Sequence, residues 1–578
     1  MVGNQKKFQL DKFFVIKVLL VLTGMLLLVR LFYIQIIRHE YYQNKALSEH
    51  IKKFEIAAPR GIIRLQNQQL GSVPVVLNEK RYIIYADPAY IKDPPSVANK
   101  LLKVIGGDKN ELTKKLSTKD SRYVVLAKKF TKEQAKKISE LNIVGIGKKE
   151  ISVRTYPQEN LASHILGFVN DDGKGQYGIE QFLDSTLAGK SGLEKAVTDI
   201  RGTPLAISND NILKQAKAGQ DIVLTVDIGM QKIVEDALKR GVERTKAINA
   251  TGIIIDTHGN IKAMASFPSY NPGQFEKISD PSIFINPAVS MPWEPGSVMK
   301  PLIIGAAFSE KSATPETSFY DSGQMTIGDR TISNSTDWGS QTMSFRDIIN
   351  KSLNTGAVFV LKTLGGGSIN DKARNTWYDY MTKHYFFGKN TGVQQGGETS
   401  GYVPEPNKGY GLEVLYANTA FGQGVTLTPI QLISAYNALI NGGTYYKPNL
   451  VAETIDGTKK TISKPEVVAR NVVSPQASQD IRQMIKEALE INNRAAVREG
   501  YNIGGKSGTA QIAERGVYRT DLYNGAYVGY LGGDTPQYLI LVRIDGPRTP
   551  GFASAEAYKT WDEISNNLID NFAIKPKS

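Results

Sequence analysis

An apolar segment at residues 13–37 constrains this chain more than any other feature of its sequence. It reads FFVIKVLLVLTGMLLLVRLFYIQII, and its only charged residues are Lys17 and Arg30. A helix of about 20 apolar residues spans the hydrocarbon core of a bilayer, and lysine or arginine side chains can reach from it to the interface. The uncharged run at residues 18–29 alone would also fit the core of a signal peptide, but no small-residue cleavage site follows it. The sequence therefore predicts a retained transmembrane anchor at residues 13–37.

The charges beside the anchor predict its orientation. Lys6, Lys7 and Lys12 precede it, and positive charge tends to stay on the cytoplasmic side of a membrane. Basic residues also follow the anchor, so the difference between the two flanks is small. No second apolar run of this length occurs in the sequence. We therefore expect residues 1–12 to form a cytoplasmic tail, and residues from 40 onward to lie outside a cytoplasmic (inner) membrane that the chain crosses once.

Composition excludes several kinds of site. The 578 residues contain no cysteine and five scattered histidines, so disulfides, thiol catalysis and a metal site are not expected. The formal net charge is +14, which suits an anionic partner such as a membrane surface, an anionic polymer or a nucleic acid. Many basic proteins bind no acidic partner, so the charge alone identifies none. A chain of this length is expected to form about two to four domains.

The pattern of apolar residues changes near residue 216. Residues 40–215 alternate short strand-like runs with helical runs rich in lysine and glutamate, and gather no plausible active site. From residue 216 the order is a strand (DIVLTV), an amphipathic helix from Ile228, a hairpin around residues 257–260, helical runs to about residue 440, and two closing strands. This order predicts an α+β domain whose sheet joins elements far apart in the sequence.

The stretch EPGSVMKPLIIGAAF at residues 294–308 combines a nucleophile with a base. Pro-Gly introduces a helix that is apolar on nearly every side and is therefore expected to be buried. Ser297 lies in its first turn, and Lys300 follows three residues later on the same face. A lysine amine can take a serine proton if burial or a second cation lowers its pKa. The S-x-x-K pattern alone is weak evidence, because a serine N-cap followed by a surface lysine produces it too.

A second element is needed beside that helix, and the sequence offers two S-x-N triplets after Ser297. Ser352-Leu353-Asn354 joins two helix-like runs, which predicts a loop held against buried turns. Ser368-Ile369-Asn370 follows three glycines and is expected to be a surface link. A third triplet, at residues 269–271, precedes the nucleophile. We therefore take Ser352 and Asn354 as the second motif of the candidate site, beside Ser297 and Lys300.

The third element, Lys506-Ser507-Gly508-Thr509, has two interpretations. Residues 500–507 match the phosphate-binding P-loop pattern G-x-x-x-x-G-K-S. A P-loop needs an apolar strand before it and a helix after it, whereas here a charged helix-like run precedes and a glycine-containing run follows. Nucleotides are also scarce outside the membrane. As a strand, the segment would place Ser507 and Thr509 on one face beside an ammonium group, which suits a carboxylate, and Gly508 would let a substrate backbone approach.

The set S-x-x-K, S-x-N and K-S-G resembles that of penicillin-binding proteins and class A β-lactamases. Further segments are similar to class B penicillin-binding proteins across nearly the whole chain: PRGIIRLQNQQLG, RTYPQENLASHILGFV, GQYGIEQFLDSTLAG, GQDIVLTVDIGMQ, FGKNTGVQQGGETSG, TAFGQGVTLTPIQL and GGKSGTAQ. The resemblance implies a membrane-anchored peptidoglycan D,D-transpeptidase. It implies an elongated, mixed α/β, dimerisation-like and non-catalytic pedestal at residues 40–215. It also implies a penicillin-binding, serine β-lactamase-like domain at residues 216–575, with an antiparallel sheet and a helical subdomain.

The resemblance also implies roles for the motif residues, without a metal or organic cofactor. The catalytic residues would be Ser297, Lys300, Ser352, Asn354 and Lys506; the substrate-binding residues would be Ser507, Gly508 and Thr509; and the backbone N–H groups of Ser297 and Thr509 would form the oxyanion hole.

Partners and subfamily are implied in the same way. Residues 40–215 hold no segment similar to a glycosyltransferase domain, so the expected partners are a polytopic glycosyltransferase of the shape–elongation–division–sporulation type and other division membrane proteins. Substrates would be peptidoglycan stem peptides on a lipid-linked precursor, β-lactams would be inhibitors, and nucleic acid is not expected. The segments INPAVSMPWEPGSVMKP and SLNTG are more similar to the septal subfamily. An elongation-specific enzyme, a D,D-carboxypeptidase and a β-lactam sensor remain alternatives.

Overall fold

A computed structural model describes residues 12–39, 53–56, 58–118, 120–195, 212–514 and 517–578. It divides the chain into two units, one made of Met1–Pro59 and Lys190–Ala218, the other of Arg60–Gly189 and Gly219–Ser578. The expected cytoplasmic tail lies outside the described residues, apart from Lys12.

The first unit contains the predicted anchor. Helix Lys12–Phe32 continues as a π-helical turn, Tyr33–Ile37. The part from Leu19 to Ile37 is long and apolar enough to cross a membrane by length and composition, a test that a signal sequence also passes. Three short strands, Lys53–Ile56, Gly192–Lys195 and Ile212–Lys214, form an antiparallel sheet in the same unit.

In the second unit, the 16-residue strand Gly71–Ala86 organises a mixed α/β region. Its first part pairs with Ile63–Asn67, and its second part pairs with Val124–Phe130 on one side and Ile146–Thr155 on the other. Three helices with side-chain N-caps bury apolar residues in the core of this region: Pro94–Ile105, Lys109–Leu116 and Lys132–Glu140. The mixed α/β prediction for this part of the chain is confirmed.

One sheet contains strands from both sides of residue 216. Ile63–Asn67 pairs in parallel with Asp221–Asp227, which pairs on its other side with Val451–Asp456. Lys459–Ile462 completes the seven-stranded sheet. The predicted domain boundary stays a prediction, since pairing is continuous across it. After strand Ile146–Thr155, the chain forms short helices and two-residue strands: Ser163–Leu166, Phe168–Val169, Gly175–Gln176, Gly178–Phe182 and Asp184–Leu187.

A five-stranded antiparallel sheet lies at the centre of the second unit. Its strand order is Ile261–Phe267, Asn249–Asp256, Pro536–Asp545, Val517–Gly532 and Asn502–Glu514. The first two strands are the predicted hairpin. Helices Ile228–Thr245 and Ala553–Asn571 share one apolar cluster with this sheet, around the buried Trp561. The predicted antiparallel sheet assembled from distant segments is therefore confirmed.

A helical block packs on the other side around helix Lys300–Ser309, in which every residue from Lys300 to Phe308 is buried. The 3-10 turn Gly296–Met299 leads into it, and helices Asn354–Leu364 and Pro475–Asn492 contact it. The remaining α-helices of the block are Pro287–Ser290, Phe345–Asn350, Asp371–Asp379, Leu412–Thr419 and Pro429–Ile440. The short elements elsewhere in the second unit are 3-10 or π-helical turns and strands of two or three residues: Pro88–Tyr90, Pro272–Lys277, Pro281–Phe284, Tyr380–His384, Tyr445–Tyr446, Val467–Ala469 and Arg494–Ala496.

Four short strands between residues 318 and 344 are absent from the sequence-based prediction. Ser318–Asp321 pairs with Gln341–Ser344, and Gln324–Ile327 pairs with Arg330–Ser333. Each has only four residues, of which two or three are half-buried or exposed. Segments this short and polar carry no distinct periodic pattern.

Candidate active site

The turn that carries Ser297 is held by close backbone packing. Gly296 has a φ of +63°, and a Cβ there would lie 2.7 Å from the carbonyl oxygen of Thr509. Its N–H donates to the carbonyl of Gly422 (3.0 Å), and the buried Tyr436 hydroxyl donates to the carbonyl of Val298 (2.5 Å). Glycine is required at 296 because both the backbone conformation and the space exclude a side chain. Ser297 itself is half-buried at the start of the turn.

Lys300 points from the first helical turn into the interior. Its side chain is fully buried, and its Nζ donates to the carbonyl of Ser352 (2.6 Å), to Ser352 Oγ (3.3 Å) and to Asn354 Oδ1 (2.9 Å). The S-x-N loop therefore satisfies the buried amine. Among the described residues, none makes a hydrogen bond with the Ser297 hydroxyl, which remains available to a ligand.

Ser352 lies between two lysines in a strained backbone conformation. Its φ of +56° is in the left-handed region that non-glycine residues seldom adopt. Lys506 Nζ donates to Ser352 Oγ at 3.0 Å, on the same hydroxyl that Lys300 reaches. Leu353, which is completely buried, anchors the loop between helices Phe345–Asn350 and Asn354–Leu364.

Burial changes the protonation of both lysines. Desolvation, and next the charge of Lys506, hold the pKa of Lys300 well below its usual range. Desolvation lowers the pKa of Lys506 to about 7. Both shifts favour the uncharged amine, which is the form in which Lys300 can accept a proton, and near pH 7 Lys506 exists as a mixture of both forms.

The third motif lies on strand Asn502–Glu514, which pairs with only one neighbour in the central sheet. Ser507 and Thr509 are half-buried and alternate with the buried Lys506 and Gly508, as expected for side chains on opposite faces of a strand. Lys506 Nζ also donates to the carbonyl of Ser507 (3.0 Å). The strand prediction is confirmed and the P-loop interpretation is excluded, because Ser507 lies inside a strand that continues to Glu514, where a P-loop requires the start of a helix.

The space at Gly508 is taken by the protein itself. A Cβ at this position would lie 2.8 Å from the carbonyl oxygen of Pro295 and 3.2 Å from the backbone nitrogen of Val298. The contact that requires glycine is therefore with the turn of Ser297. The sequence alone predicts a different reason for this glycine, namely the approach of a substrate backbone.

The two S-x-N candidates differ in what they contact. Ser352 and Asn354 contact Lys300, whereas Ser368 is exposed and Asn370 caps helix Asp371–Asp379 by accepting from the N–H of Ala373 (3.0 Å). The structure thus brings Ser352, Asn354, Lys506 and the Ser297 turn together, and leaves the second triplet as a surface link.

Three residues beside the site, Glu294, Asn334 and Asp321, are not identified by the sequence patterns. Glu294 accepts from the N–H of Gly424 (2.8 Å) and from the Tyr518 hydroxyl (2.9 Å), and burial raises its pKa. Asn334 and Asp321 support the S-x-N loop from the segment of short strands. Glu294 sits in the quoted motif, but no signal in the sequence pairs it with Tyr518. Asn334 lies in a turn-rich run, ISNSTDWGS, without a fixed spacing to any motif.

Family models now identify the architecture. The Penicillin-binding Protein dimerisation domain matches residues 55–224. The Penicillin binding protein transpeptidase domain matches residues 250–570, more than half of the chain. The chain is a class B penicillin-binding protein. As such it is a peptidoglycan D,D-transpeptidase, of the class that lacks a glycosyltransferase domain.

Individual relatives agree with this assignment over most of their length. Stage V sporulation protein D of Bacillus subtilis is 29% identical over 95% of this chain and 84% of that protein. The peptidoglycan D,D-transpeptidase FtsI homolog of Mesostigma viride is 28% identical over 99% of this chain and 98% of that protein. The crystal structure of penicillin binding protein 2X from Streptococcus thermophilus superposes with a TM-score of 0.70 at 25% identity, covering 89% of this chain and 80% of that one.

Proposed function

We propose that this penicillin-binding protein forms peptidoglycan cross-links through an acyl-enzyme on Ser297. Ser297 Oγ attacks the carbonyl carbon between the two terminal D-alanines of a stem peptide, and its proton passes to the uncharged Lys300 amine. The low pKa of Lys300 supports this role, because an ordinary lysine would be charged and could not act as a base.

Collapse of the tetrahedral intermediate breaks the peptide C–N bond and releases D-alanine. The leaving nitrogen needs a proton, and Ser352 Oγ is the hydroxyl that contacts both lysines. We assign it the relay of a proton from Lys300 to the leaving amine. Asn354 holds Lys300 through Oδ1. The acceptor amine then attacks the ester, transfers a proton to the same base and restores the Ser297 hydroxyl, so that atoms and protons balance.

Substrate orientation is assigned to the strand that carries the third motif. The carboxylate of the terminal D-alanine would bind the hydroxyls of Ser507 and Thr509 in the field of Lys506. The backbone N–H groups of Ser297 and Thr509 would stabilise the oxyanion. The packing of Gly508 on the Ser297 turn supports this assignment, because it keeps the strand and the nucleophile side by side.

The observation that carries the proposal is the position of Ser352 Oγ, which lies 3.3 Å from one buried lysine and 3.0 Å from the other. Lysines are seldom buried without a carboxylate partner. Neither Nζ contacts a carboxylate among the described residues; both are satisfied by hydroxyl, carbonyl and amide oxygens. Such an arrangement is costly for stability and is expected where a proton must move.

We place the enzyme in the cytoplasmic membrane with its N-terminus inside and its catalytic domain outside. The apolar helix supports a single-pass anchor, and lipid-linked peptidoglycan supplies the substrate there. We propose a septal role with a polytopic glycosyltransferase and other division proteins as partners. The septal proposal rests on the segments INPAVSMPWEPGSVMKP and SLNTG, and one relative is named as an FtsI homolog. An elongation role would use the same chemistry.

The test is turnover of a D-Ala-D-Ala stem peptide by the detergent-solubilised full chain, with and without an amine acceptor. Release of D-alanine together with an acceptor-linked product supports transpeptidation. Release of D-alanine without such a product would instead make the protein a D,D-carboxypeptidase. Reaction with penicillin but no turnover of either kind would make it a β-lactam sensor.

A further inference from the structure

A side chain from a distant segment caps the helix that begins at Asn354. The residue before the helix, Leu353, offers no side-chain cap, and the first N–H groups of any helix need acceptors. Asn334 Oδ1 supplies one acceptor for three donors: the N–H of Asn354 (2.7 Å), the N–H of Thr355 (3.2 Å) and the Thr355 hydroxyl (3.0 Å). The start of this helix is therefore fixed by a residue 20 positions earlier in the chain.

The orientation of the Asn334 amide follows from its neighbours. Backbone N–H groups can only donate, so the oxygen of Asn334 must face the helix and its nitrogen must face away. That nitrogen donates to Asp321 Oδ2 (2.9 Å), whose residue is only 3% exposed. The other carboxylate oxygen, Asp321 Oδ1, accepts from the N–H of Gly323 (3.0 Å). Asp321 thus fixes which way round the Asn334 amide lies.

The same segment fixes the amide of Asn354. Its Nδ2 donates to the carbonyl of Ser333 (3.0 Å), which leaves Oδ1 to accept from Lys300 Nζ (2.9 Å). Asp321 and Asn334 are therefore linked to the proposed base through Asn354, whose backbone N–H is held by Asn334 and whose side chain accepts from Lys300.

The loop has a physical reason to need this support. Ser352 is held at φ +56°, and such conformations persist only where surrounding contacts determine them. Without Asn334, the start of the helix would lose its acceptor and the loop could relax toward an ordinary backbone conformation. Ser352 Oγ would then leave its place between Lys300 and Lys506.

We propose that Asn334, oriented by Asp321, is a positioning residue that holds the S-x-N loop in register with Lys300. Asn334 acts through Asn354 and Ser352 and needs no contact with substrate. The inference rests on the proposed roles of Ser297, Lys300 and Ser352. It assigns a function to the segment of short strands at residues 318–344.

The test compares acylation of the full chain by a fluorescent penicillin for single and double variants. Asn334→Ala is expected to lower the second-order acylation rate by about 10- to 100-fold, because small misplacements of catalytic groups cost up to about that much. The rising limb of the pH–rate profile should also move to lower pH. In this variant the charged Lys300 amine is expected to lose Asn354 Oδ1 as an acceptor. Lys506, the charged group that faces Lys300, stays in place.

A paired exchange tests the direction of the hydrogen bond. Asn334→Asp alone places a carboxylate against the carboxylate of Asp321, with no donor between them. This variant should be acylated slowly. Adding Asp321→Asn restores a donor: the new amide nitrogen faces the new carboxylate, which still accepts from the helix. The double variant should recover acylation to within about threefold of the parent protein, since the hydrogen-bond pattern is the same.

The control is Asn370→Ala. Asn370 also caps a helix of the same block, since it accepts from the N–H of Ala373, but it does not reach the site. It should lower the melting temperature as Asn334→Ala does and leave the acylation rate unchanged.

The outcomes separate this inference from the proposed function. If the parent protein is not labelled at Ser297, the proposed function fails, and the inference fails with it. If the parent protein is labelled but Asn334→Ala reacts at the same rate and pH, only the inference fails. A folded double variant that reacts no faster than Asn334→Asp would also overturn it, whereas recovery would support it.

Discussion

At the scale of single residues, the site depends on two lysines that are buried without a carboxylate partner. Burial favours the uncharged amine of both lysines, and the charge of Lys506 further lowers the pKa of Lys300. The pKa of Lys300, a residue of the helical block, is held well below its usual range, and the pKa of Lys506 falls to about 7. One fold therefore provides a proton acceptor and a titrating cation within reach of the same hydroxyl.

This division predicts a bell-shaped pH dependence of acylation by a carboxylate-bearing substrate. The rate should fall at low pH as Lys300 becomes protonated, and should fall as the pH rises through about 7 as Lys506 loses its charge. Lys506→Arg should move the falling limb to higher pH, because a guanidinium keeps its charge. Stopped-flow acylation followed from about pH 5 to about pH 10 measures the falling limb. A falling limb unchanged in Lys506→Arg would contradict the assignment.

The low pKa of Lys300 also predicts a cost in stability. The unfolded chain binds the Lys300 proton more tightly than the folded chain does, so this lysine makes stability rise with pH, by up to about 1.4 kcal/mol per pH unit. Lys300→Met should abolish acylation, and its stability relative to the parent protein should be most favourable at low pH. Unfolding in denaturant at about pH 6 and about pH 9 measures the difference in the free energy of unfolding between Lys300→Met and the parent protein. A stability advantage of Lys300→Met over the parent protein that grows as the pH rises would contradict the burial argument.

The candidate catalytic residues could be proposed from the sequence because their spacing is local. Ser297 and Lys300 share one helical turn, and the other motifs are short triplets. Asn334 and Glu294 could not be identified in this way. Their roles depend on hydrogen bonds to segments 20 and 130 residues away, and asparagine and glutamate occur in many turns for other reasons.

At the scale of elements, the site is made by close approach between the Ser297 turn and an edge strand. Glycine at 296 and 508 removes the side chains that would keep the two apart. The same strand presents Ser507 and Thr509 on its other face. The helical turn and the strand were both predictable from their patterns, but their approach was not, because it depends on contacts more than 200 residues apart in the chain.

Gly296→Ala is expected to impair this approach. The added Cβ would lie 2.7 Å from the Thr509 carbonyl oxygen at a φ of +63°, so the variant combines backbone strain of about 1 kcal/mol with a steric clash. Gly457→Ala is a matched control, since its φ is +62° and nothing lies within 4 Å of the new Cβ. Both should lower the melting temperature, but only Gly296→Ala should lower the acylation rate, by about 10-fold or more. Equal rates in both variants would show that the approach is not needed.

At the scale of the whole second unit, a buried ion-pair network ties its first segments together. Glu180 is fully buried and accepts from Arg60 Nε and Arg154 Nε, both at 2.7 Å. Arg60 also pairs with Asp184 (2.6 Å). The neighbouring strand Ile63–Asn67 joins the sheet that continues into Asp221–Asp227, so the network supports the region that leads into the catalytic part.

Glu180→Gln should leave two buried guanidinium groups with too little negative charge. Breaking a buried pair in this way costs about 3–5 kcal/mol, measured as the free energy of unfolding in denaturant. Glu150→Gln, which removes an exposed pair with Lys80, should change stability little. Similar stability of the two variants would contradict a structural role for the network. The pairing of these distant charges was not predictable from the sequence, since it depends on the tertiary fold.

The central claim is that Ser297 is the residue acylated in the cleft formed by Lys300, Ser352 and Lys506. The most direct measurement is peptide mapping by mass spectrometry of the full chain after reaction with benzylpenicillin. We predict one stoichiometric adduct on the peptide that contains Ser297, no adduct in Ser297→Ala, and a slow reaction in Ser352→Ala. An adduct on another residue, or labelling that persists in Ser297→Ala, would contradict the account.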